Sequence, residues 1–232
     1  MKFALLSDVH GNSFALQAVL NAVKKKNIDT LIMTGDFVGY YFWPAEVFAL
    51  LKGFNLIAIC GNHDKMLHKA KDDKAYLAKI GKKYGSGLRI ALEQLDEKEM
   101  SWLASLQETL EYGTKDGKIL LCHGSPWDED EYIYPDSSYD SLNRYRSLGV
   151  RWVIQGHTHY PMCKKIGDIM VINPGSVGQP RNGQPGAQWA LLDTASGKVK
   201  HFCEQYDLSI VVEESKKRHP EILYLADILD RR

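Results

Sequence analysis

The sequence predicts one α/β domain over all 232 residues, with a helical tail from about residue 207. Three observations carry this. Short apolar runs alternate with amphipathic helical patterns through the first half, as in parallel sheets with helical crossovers. The second half is denser in strands and carries hairpin signals. No repeat, low-complexity tract or linker divides the chain.

"KFALL" reads as the first strand, and Ser13 to Lys26 as an amphipathic helix with Phe14, Leu16, Val19, Leu20 and Val23 on its apolar face. "TLIM" is the next strand, "PAEVFALLK" a helix with proline in its first turn, and "NLIAIC" the third strand. Asp64 to Tyr84 reads as one long polar helix, and "DEKEMSWLASL" as another, with Asp96 and Glu99 spaced as a capping box. "GKILLCHG", "RWVIQGH", "PMCKKIG", "DIMVINPG" and "QWALLDTASGKVKHF" supply the later strands. Turns at Gly167-Asp168 and Ala195-Ser196-Gly197 predict antiparallel pairing there. The loop from Ser125 to Ser138 has no period and reads as a functional rim. Ile222, Leu225, Ile228 and Leu229 form an apolar stripe that docks on its own domain or on a neighbour's, so a homo-oligomer stays open.

Composition narrows the function classes. Lysine plus arginine equals aspartate plus glutamate, 29 against 29, so no global field draws in nucleic-acid polymers or acidic membranes. The basic runs Lys24–Lys26 and Lys216–Arg218 sit late in expected helices, where cations complement the dipole. The four cysteines are far apart, and Cys60 and Cys122 lie in apolar runs as core thiols. That fits a reducing cytoplasm. The opening "MKFALLSDVHG" is too short and polar for a signal peptide, and no segment is long enough to span a membrane.

Five strands end in polar side chains: Asp8 and His10, Asp36, Asn62 and His63, His123, and His157 with His159. Carboxyl ends of strands face one crevice in α/β sheets. Residues two apart in extended chain share a face, so Asp8 with His10, and His157 with His159, are expected to pair. His68, His201 and His219 read as surface residues. Burying such carboxylates and imidazoles without a counter-charge costs several kcal/mol per ion. Divalent cations meet that need. Nitrogen and oxygen donors without thiolate suit manganese, iron, zinc or nickel. Seven ligands exceed one tetrahedral site, which predicts two ions about 3.5–4 Å apart sharing a carboxylate. Such a pair activates water for in-line displacement at a phosphate ester.

The stretches "SDVHGN", "TGDFVG", "CGNHD", "LCHG" and "GHTH", in this order, resemble the calcineurin-like metallophosphoesterase superfamily. "NPGSVGQPRNGQPGAQWALLD" is similar to its small bacterial and archaeal phosphodiesterase-like branch. The resemblance implies a four-layer α/β/β/α sandwich with two mixed sheets. It implies that Asp8, His10, Asp36 and His159 hold one ion, and that Asp36, Asn62, His123 and His157 hold the other, with Asp36 bridging. Manganese is the first expectation, with iron, nickel or zinc as alternatives. His63 takes the place of the general acid, expected as an imidazolium, and Asp64 either orients its ring or caps the following helix. In-line attack of a metal-bridging hydroxide on a small phosphodiester or pyrophosphate is the expected reaction. The alternatives are a phosphatase on protein or nucleotide monoesters and a non-catalytic metal-binding scaffold of the same fold.

One departure stands out. Protein phosphatases of the superfamily carry Asp-Arg-Gly after the second motif, whereas this chain reads "GDFVGYYFWP" and offers no arginine there. Tyr40, Tyr41, Phe42 and Trp43 read either as core plus rim or as a stacking platform that Trp127 could join. Asp128, Glu129, Asp130, Glu131 and Asp136 would repel a long polyanion if they border the cleft.

Overall fold

The computed structural model describes residues 1–231. The elements run β1 (Lys2–Leu6), α1 (Ser13–Lys25), β2 (Thr30–Met33), α2 (Pro44–Leu51), β3 (Asn55–Ala58), α3 (Asn62–Asp72), α4 (Lys74–Tyr84), α5 (Gly87–Gln94) and α6 (Glu97–Ser105). They continue with β4 (Thr109–Thr114), β5 (Gly117–Cys122), α7 (Tyr139–Asn143), β6 (Trp152–Ile154), β7 (Met162–Ile166), β8 (Ile169–Asn173), β9 (Ala187–Asp193), β10 (Lys198–Glu204), α8 (Ser209–Arg218) and α9 (Tyr224–Asp227).

Two five-stranded mixed sheets result, ordered β10-β9-β1-β2-β3 and β4-β5-β6-β8-β7. In the first, β1, β2 and β3 are parallel, and the β9–β10 hairpin adds antiparallel strands beside β1. In the second, β5, β6 and β8 are parallel and only the outer strands β4 and β7 run against them. Both turns expected to make hairpins do so: Gly167-Asp168 joins antiparallel β7 and β8, and Ala195-Ser196-Gly197 joins antiparallel β9 and β10.

Strand alternation sorts the core into layers. Phe3 and Leu5 of β1 face the second sheet and pack with Ile119, Leu121, Trp152 and Ile172, which seals the two sheets together. Ala4 and Leu6, on the other face, pack with Leu16, Val19 and Leu20 of α1. The outer face of the second sheet is covered by Leu142, Tyr145 and Ile133 from α7 and the chain around it. Helix, sheet, sheet, helix is the four-layer order.

Local chemistry explains most boundaries. The Asn12 side chain accepts from Ala15 N and starts α1. Asp96 and Glu99 make the expected capping box on α6. The long helix expected from Asp64 to Tyr84 is two helices, because Asp73 accepts from Tyr76 N and so caps a new start. The C-terminal stripe folds back on this chain: Leu225, Ile228 and Leu229 are buried against Tyr41 and Phe42. No helix among the described residues is long and apolar enough to cross a membrane.

Candidate metal centre

The strands β1, β2, β5 and β6 stop short of the residues that matter, and the loops beyond them converge between the sheets. Asp8, His10, Asp36, His157 and His159 all have left-handed backbone, with φ of 53°, 52°, 58°, 65° and 60°. This corrects the expectation that Asp8 pairs with His10, and His157 with His159, through strand alternation. Left-handed non-glycine residues cost of order 1–3 kcal/mol each and persist only where the surroundings over-determine them. Here they are held by main-chain bonds across loops, such as His10 N to Asp36 O (2.9 Å), Gly178 N to Asp8 O (2.9 Å) and Gly156 N to His123 O (2.8 Å). Gly39 (φ 147°) completes the cradle, since a Cβ there would lie 2.5 Å from His10 Nδ1 and 2.8 Å from His63 Nδ1.

The imidazoles are aimed by their outer nitrogens. Nδ1 of His10, His123 and His159 meets the carbonyls of Val38 (3.2 Å), Thr34 (2.7 Å) and Gln179 (2.6 Å). A carbonyl only accepts, so each Nδ1 carries a proton and Nε2 is the nitrogen turned inward, where it can bind an ion. His10 Nε2 and His159 Nε2 face each other at 3.1 Å. Two lone pairs so close require a cation between or beside them. Asp8 Oδ1 has no hydrogen-bond partner and lies 3.2 Å from His159 Nε2 and 3.8 Å from His10 Nε2. Asp36 accepts the His63 N–H on Oδ1 (2.8 Å), which leaves Oδ2 placed 3.6 Å from His10 Nε2 and 3.4 Å from His123 Nε2. Asn62 Oδ1 lies 3.0 Å from His123 Nε2, and the buried His157 Nε2 has no partner. Three triads have ligand atoms close enough to share an ion: Asp8–His10–His159, His10–Asp36–His63 and Asp8–Asp36–His123. All seven residues expected as ligands thus meet in one place, and their donors fit a pair of divalent ions.

Electrostatics point the same way. Burial opposes ionisation of Asp8, but the His159 ring outweighs it and holds the carboxyl below the usual range. Burial likewise opposes a charged His123, yet Asp36 draws a proton onto it and lifts its pKa to about 10. The carboxylates demand positive charge, and a divalent ion would meet that demand in the proton's place.

His63, in the first turn of α3, is buried, and its ring packs 4.8 Å from those of His10, Tyr40 and Tyr84. Its Nδ1 has no hydrogen-bond partner, so the ring is free to meet a ligand. Burial lowers its pKa to about 4, which opposes the imidazolium expected there until an anion arrives. Asp64 does not orient that ring. It accepts from the backbone N–H groups of Asp36, Phe37, Val38 and Gly61, tying the second motif's loop to the start of α3.

The surrounding wall differs most from what the sequence suggests. Arg181, in the loop after "NPGSVGQP", lines the cavity beside His63 and His159. No arginine follows the second motif, as the sequence shows, and this one comes from another loop. Arg181 stands inside a stretch read only for its resemblance, and nothing in spacing connects residue 181 to residue 63. Of the acidic loop, Tyr132 reaches the cavity, packing 4.3 Å from the His157 ring. Glu129 and Glu131 are neutralised by Lys65 and Arg144, so they do not guard the cleft as expected. Tyr41 and Phe42 are core, Tyr40 is rim, and Trp127 packs on Arg144 and Tyr145, away from them. Two histidines expected at the surface are not idle: His201 Nε2 meets Asn173 O (2.8 Å), and His219 Nε2 accepts from Ser86 N (2.9 Å), pinning the tail that brings Tyr224 to the cavity mouth.

Residues 1–197 match the model of the calcineurin-like phosphoesterase superfamily domain. The uncharacterized protein MJ0912 of Methanocaldococcus jannaschii is 31% identical over 95% of this chain and 94% of its own length. Phosphodiesterase YfcE of Escherichia coli is 25% identical over 83% of this chain and 88% of its own. The metallophosphoesterase of Sphaerobacter thermophilus superposes with a TM-score of 0.82 at 25% identity, covering 100% of this chain and 98% of that one. The chain belongs to the calcineurin-like phosphoesterase superfamily, in its small archaeal and bacterial branch of metal-binding phosphoesterases.

Proposed function

We propose that this chain hydrolyses small phosphodiesters or pyrophosphates at a centre of two divalent ions, manganese first among them. The observation that carries the reading is the facing pair His10 Nε2 and His159 Nε2, 3.1 Å apart with both outer nitrogens committed to carbonyls, above two buried carboxylates. A bound pair of ions would supply the nucleophilic water and Lewis-acid stabilisation of phosphoryl oxygens. Asp8, His10 and His159 would hold one ion, and Asn62, His123 and His157 the other. Asp36 Oδ2, facing both groups, would bridge. In the displacement a new P–O bond forms from water and the bond to the leaving oxygen breaks. His63 is neutral in the free site, an incoming phosphate anion favours its protonated form, and the ring then gives its proton to the leaving oxygen. The cavity of about 280 Å³ suits a small substrate.

A monoester phosphatase is the second reading, favoured by Arg181, whose guanidinium suits a phosphate dianion. A metal-binding scaffold has no use for a ring like His63, which lines the cavity and is held by no hydrogen bond at Nδ1. Elemental analysis, followed by initial rates on bis-nitrophenyl phosphate, nitrophenyl phosphate, a dinucleoside pyrophosphate and duplex DNA with manganese, iron, nickel and zinc, tests the proposal. Metal-dependent turnover led by the diester or the pyrophosphate is expected. A preference for the monoester or for duplex DNA overturns the substrate assignment, and no turnover with any metal overturns the enzyme reading.

A further inference from the structure

Arg181 is an anomaly in its own surroundings. Its side chain is half-buried, yet no carboxylate among the described residues lies within ion-pairing distance. Nη2 donates to Tyr40 Oη (3.1 Å) and Gln179 Oε1 (3.0 Å), while Nε is buried with no acceptor at all. A cation with a buried, unmet N–H is costly unless a ligand brings the missing oxygen. Among the described residues the cavity wall holds one other Lys or Arg, Lys83, which stands at its mouth with its ammonium 4.7 Å from the Tyr84 ring. Between the two lie phenol hydroxyls, and burial keeps the Tyr40 phenol protonated well above its ordinary range. Tyr40 accepts from Arg181 and so can pass its own proton onward as a donor.

The position of this group matters as much as its charge. His10 and His63 pack on the Tyr40 ring, with centroids 4.6 Å and 4.8 Å away, whereas Arg181 is held at the hydroxyl end of the same residue. Tyr40 thus touches the reacting centre through its ring and the guanidinium through its hydroxyl, while Arg181 N donates to His159 O (3.3 Å). A phosphoryl group already clamped by two ions and His63 has its charge matched. A second set of donors one side chain further out suits a second anionic group, and Tyr84, Tyr132 and Tyr224 line the rest with aromatic surface for an organic part.

We propose that Arg181, Tyr40 and Lys83 form a subsite for a second phosphoryl group, which makes organic pyrophosphates the substrate class rather than simple diesters. The inference rests on the hydrolase reading above and deepens it. Hydrolysis of such a compound adds water across one P–O–P linkage, and the departing phosphate takes its proton from His63. The subsite would hold the phosphoryl group that is not attacked.

The test compares the metal-loaded wild type with Arg181→Met, Arg181→Lys and the exposed Lys83→Ala, using diadenosine pyrophosphate and bis-nitrophenyl phosphate. Arg181→Met should lower kcat/KM on the pyrophosphate by roughly 30- to 300-fold, the scale of lost charge-assisted hydrogen bonds, mostly through KM. The loss on bis-nitrophenyl phosphate should be at least tenfold smaller, with part of the pyrophosphate loss restored in Arg181→Lys. Lys83→Ala should show the same selectivity at about threefold, and serves alone should Arg181→Met not fold. Equal losses on both substrates, or on nitrophenyl phosphate as well, would assign Arg181 to the reacting phosphoryl and overturn the subsite. Calorimetric binding of α,β-methylene ADP separates this proposal from the one it rests on. Should the wild type turn over nothing, at least tenfold weaker binding to Arg181→Met would still support the subsite, and unchanged binding would refute it.

Discussion

The metal centre and the wall around it are built on different terms. The centre draws its side chains from loops that directly follow core strands, and most of its polar atoms are fixed by hydrogen bonds to other loops of the site. Five of its residues hold left-handed backbone that only such a frame would sustain. The wall comes from elsewhere: Tyr40 from the loop before α2, Tyr84 from the end of α4, Tyr132 and Arg181 from long loops, and Tyr224 from the tail. Tyr132 and Tyr224 are 50% and 43% exposed, against 0–6% for Asp8, His10, Asp36, His123, His157 and His159, so these two rings can change where the centre cannot. On the proposed function, chemistry would reside in the buried part and substrate choice in the wall.

The largest effect should come from the centre's shared atom. Asp36→Ala should remove both ions together and abolish metal-dependent turnover, because the one oxygen facing His10 and His123 is lost and neither cluster keeps enough negative charge. Elemental analysis checks this, and near-full occupancy at either position would show that the two clusters are independent. His63→Gln comes next, with ions and fold retained and turnover slowed by roughly 10²–10⁴, the usual size of a general-acid effect. The defect should shrink on a nitrophenyl ester, whose leaving group needs no proton. An equal loss on good and poor leaving groups would place His63 with the wall, as a positioning group.

The centre was far more legible than the wall, for physical reasons. A buried strand that ends in Asp, His or Asn announces a ligand, because such a side chain has no other use for that position; Asp8, His10, Asp36, His123 and His159 fall into shared ligand triads, with Asn62 and His157 beside His123. The means of convergence was not legible, since left-handed turns at Asp8 or His157 leave no mark that alternation can detect. Arg181 and Tyr224 carry no local signal either. Their role depends on the chain bringing residue 181 to Tyr40 and residue 224 to Gln179, contacts 141 and 45 positions apart. The break between α3 and α4 was readable in principle from Asp73, but a helical pattern continuing on both sides hid it.

Tyr224→Ala probes the tail's share of the wall. The ring stands at the cavity mouth, its hydroxyl 3.4 Å from Gln179 Oε1, while the neighbouring Leu225 and Ala226 are the residues that anchor the segment. Its removal should therefore leave metal content and melting temperature nearly untouched. KM for an aromatic or nucleoside ester should rise about 3- to 10-fold, within the range of one stacking contact. A matching rise for an aliphatic ester would mean that the ring shapes the mouth without touching the organic part of the substrate.

The smallest effect is expected at Asp73, and it joins the two regions. Asp73 Oδ1 accepts from Tyr76 N at 2.8 Å and starts α4, whose last turn carries Lys83 and Tyr84 to the cavity. α3, on the other side of the break, carries Asn62 and His63 and is held by Asp64. Losing the cap should cost about 1 kcal/mol. That cost falls on α4 alone, because the bonds that fix Asn62 and His63 lie in the first turn of α3, eleven residues of helix away. Asp73→Ala should thus lower the melting temperature by a few degrees, about 2–4 °C for a chain of this size, with metal content unchanged. Asp73→Asn or Asp73→Ser, both good caps, should restore it. If Asp73→Ala instead lost metal, α3 and α4 would have to act as one continuous helix, and the division between a rigid centre and an adaptable wall would fail at this joint.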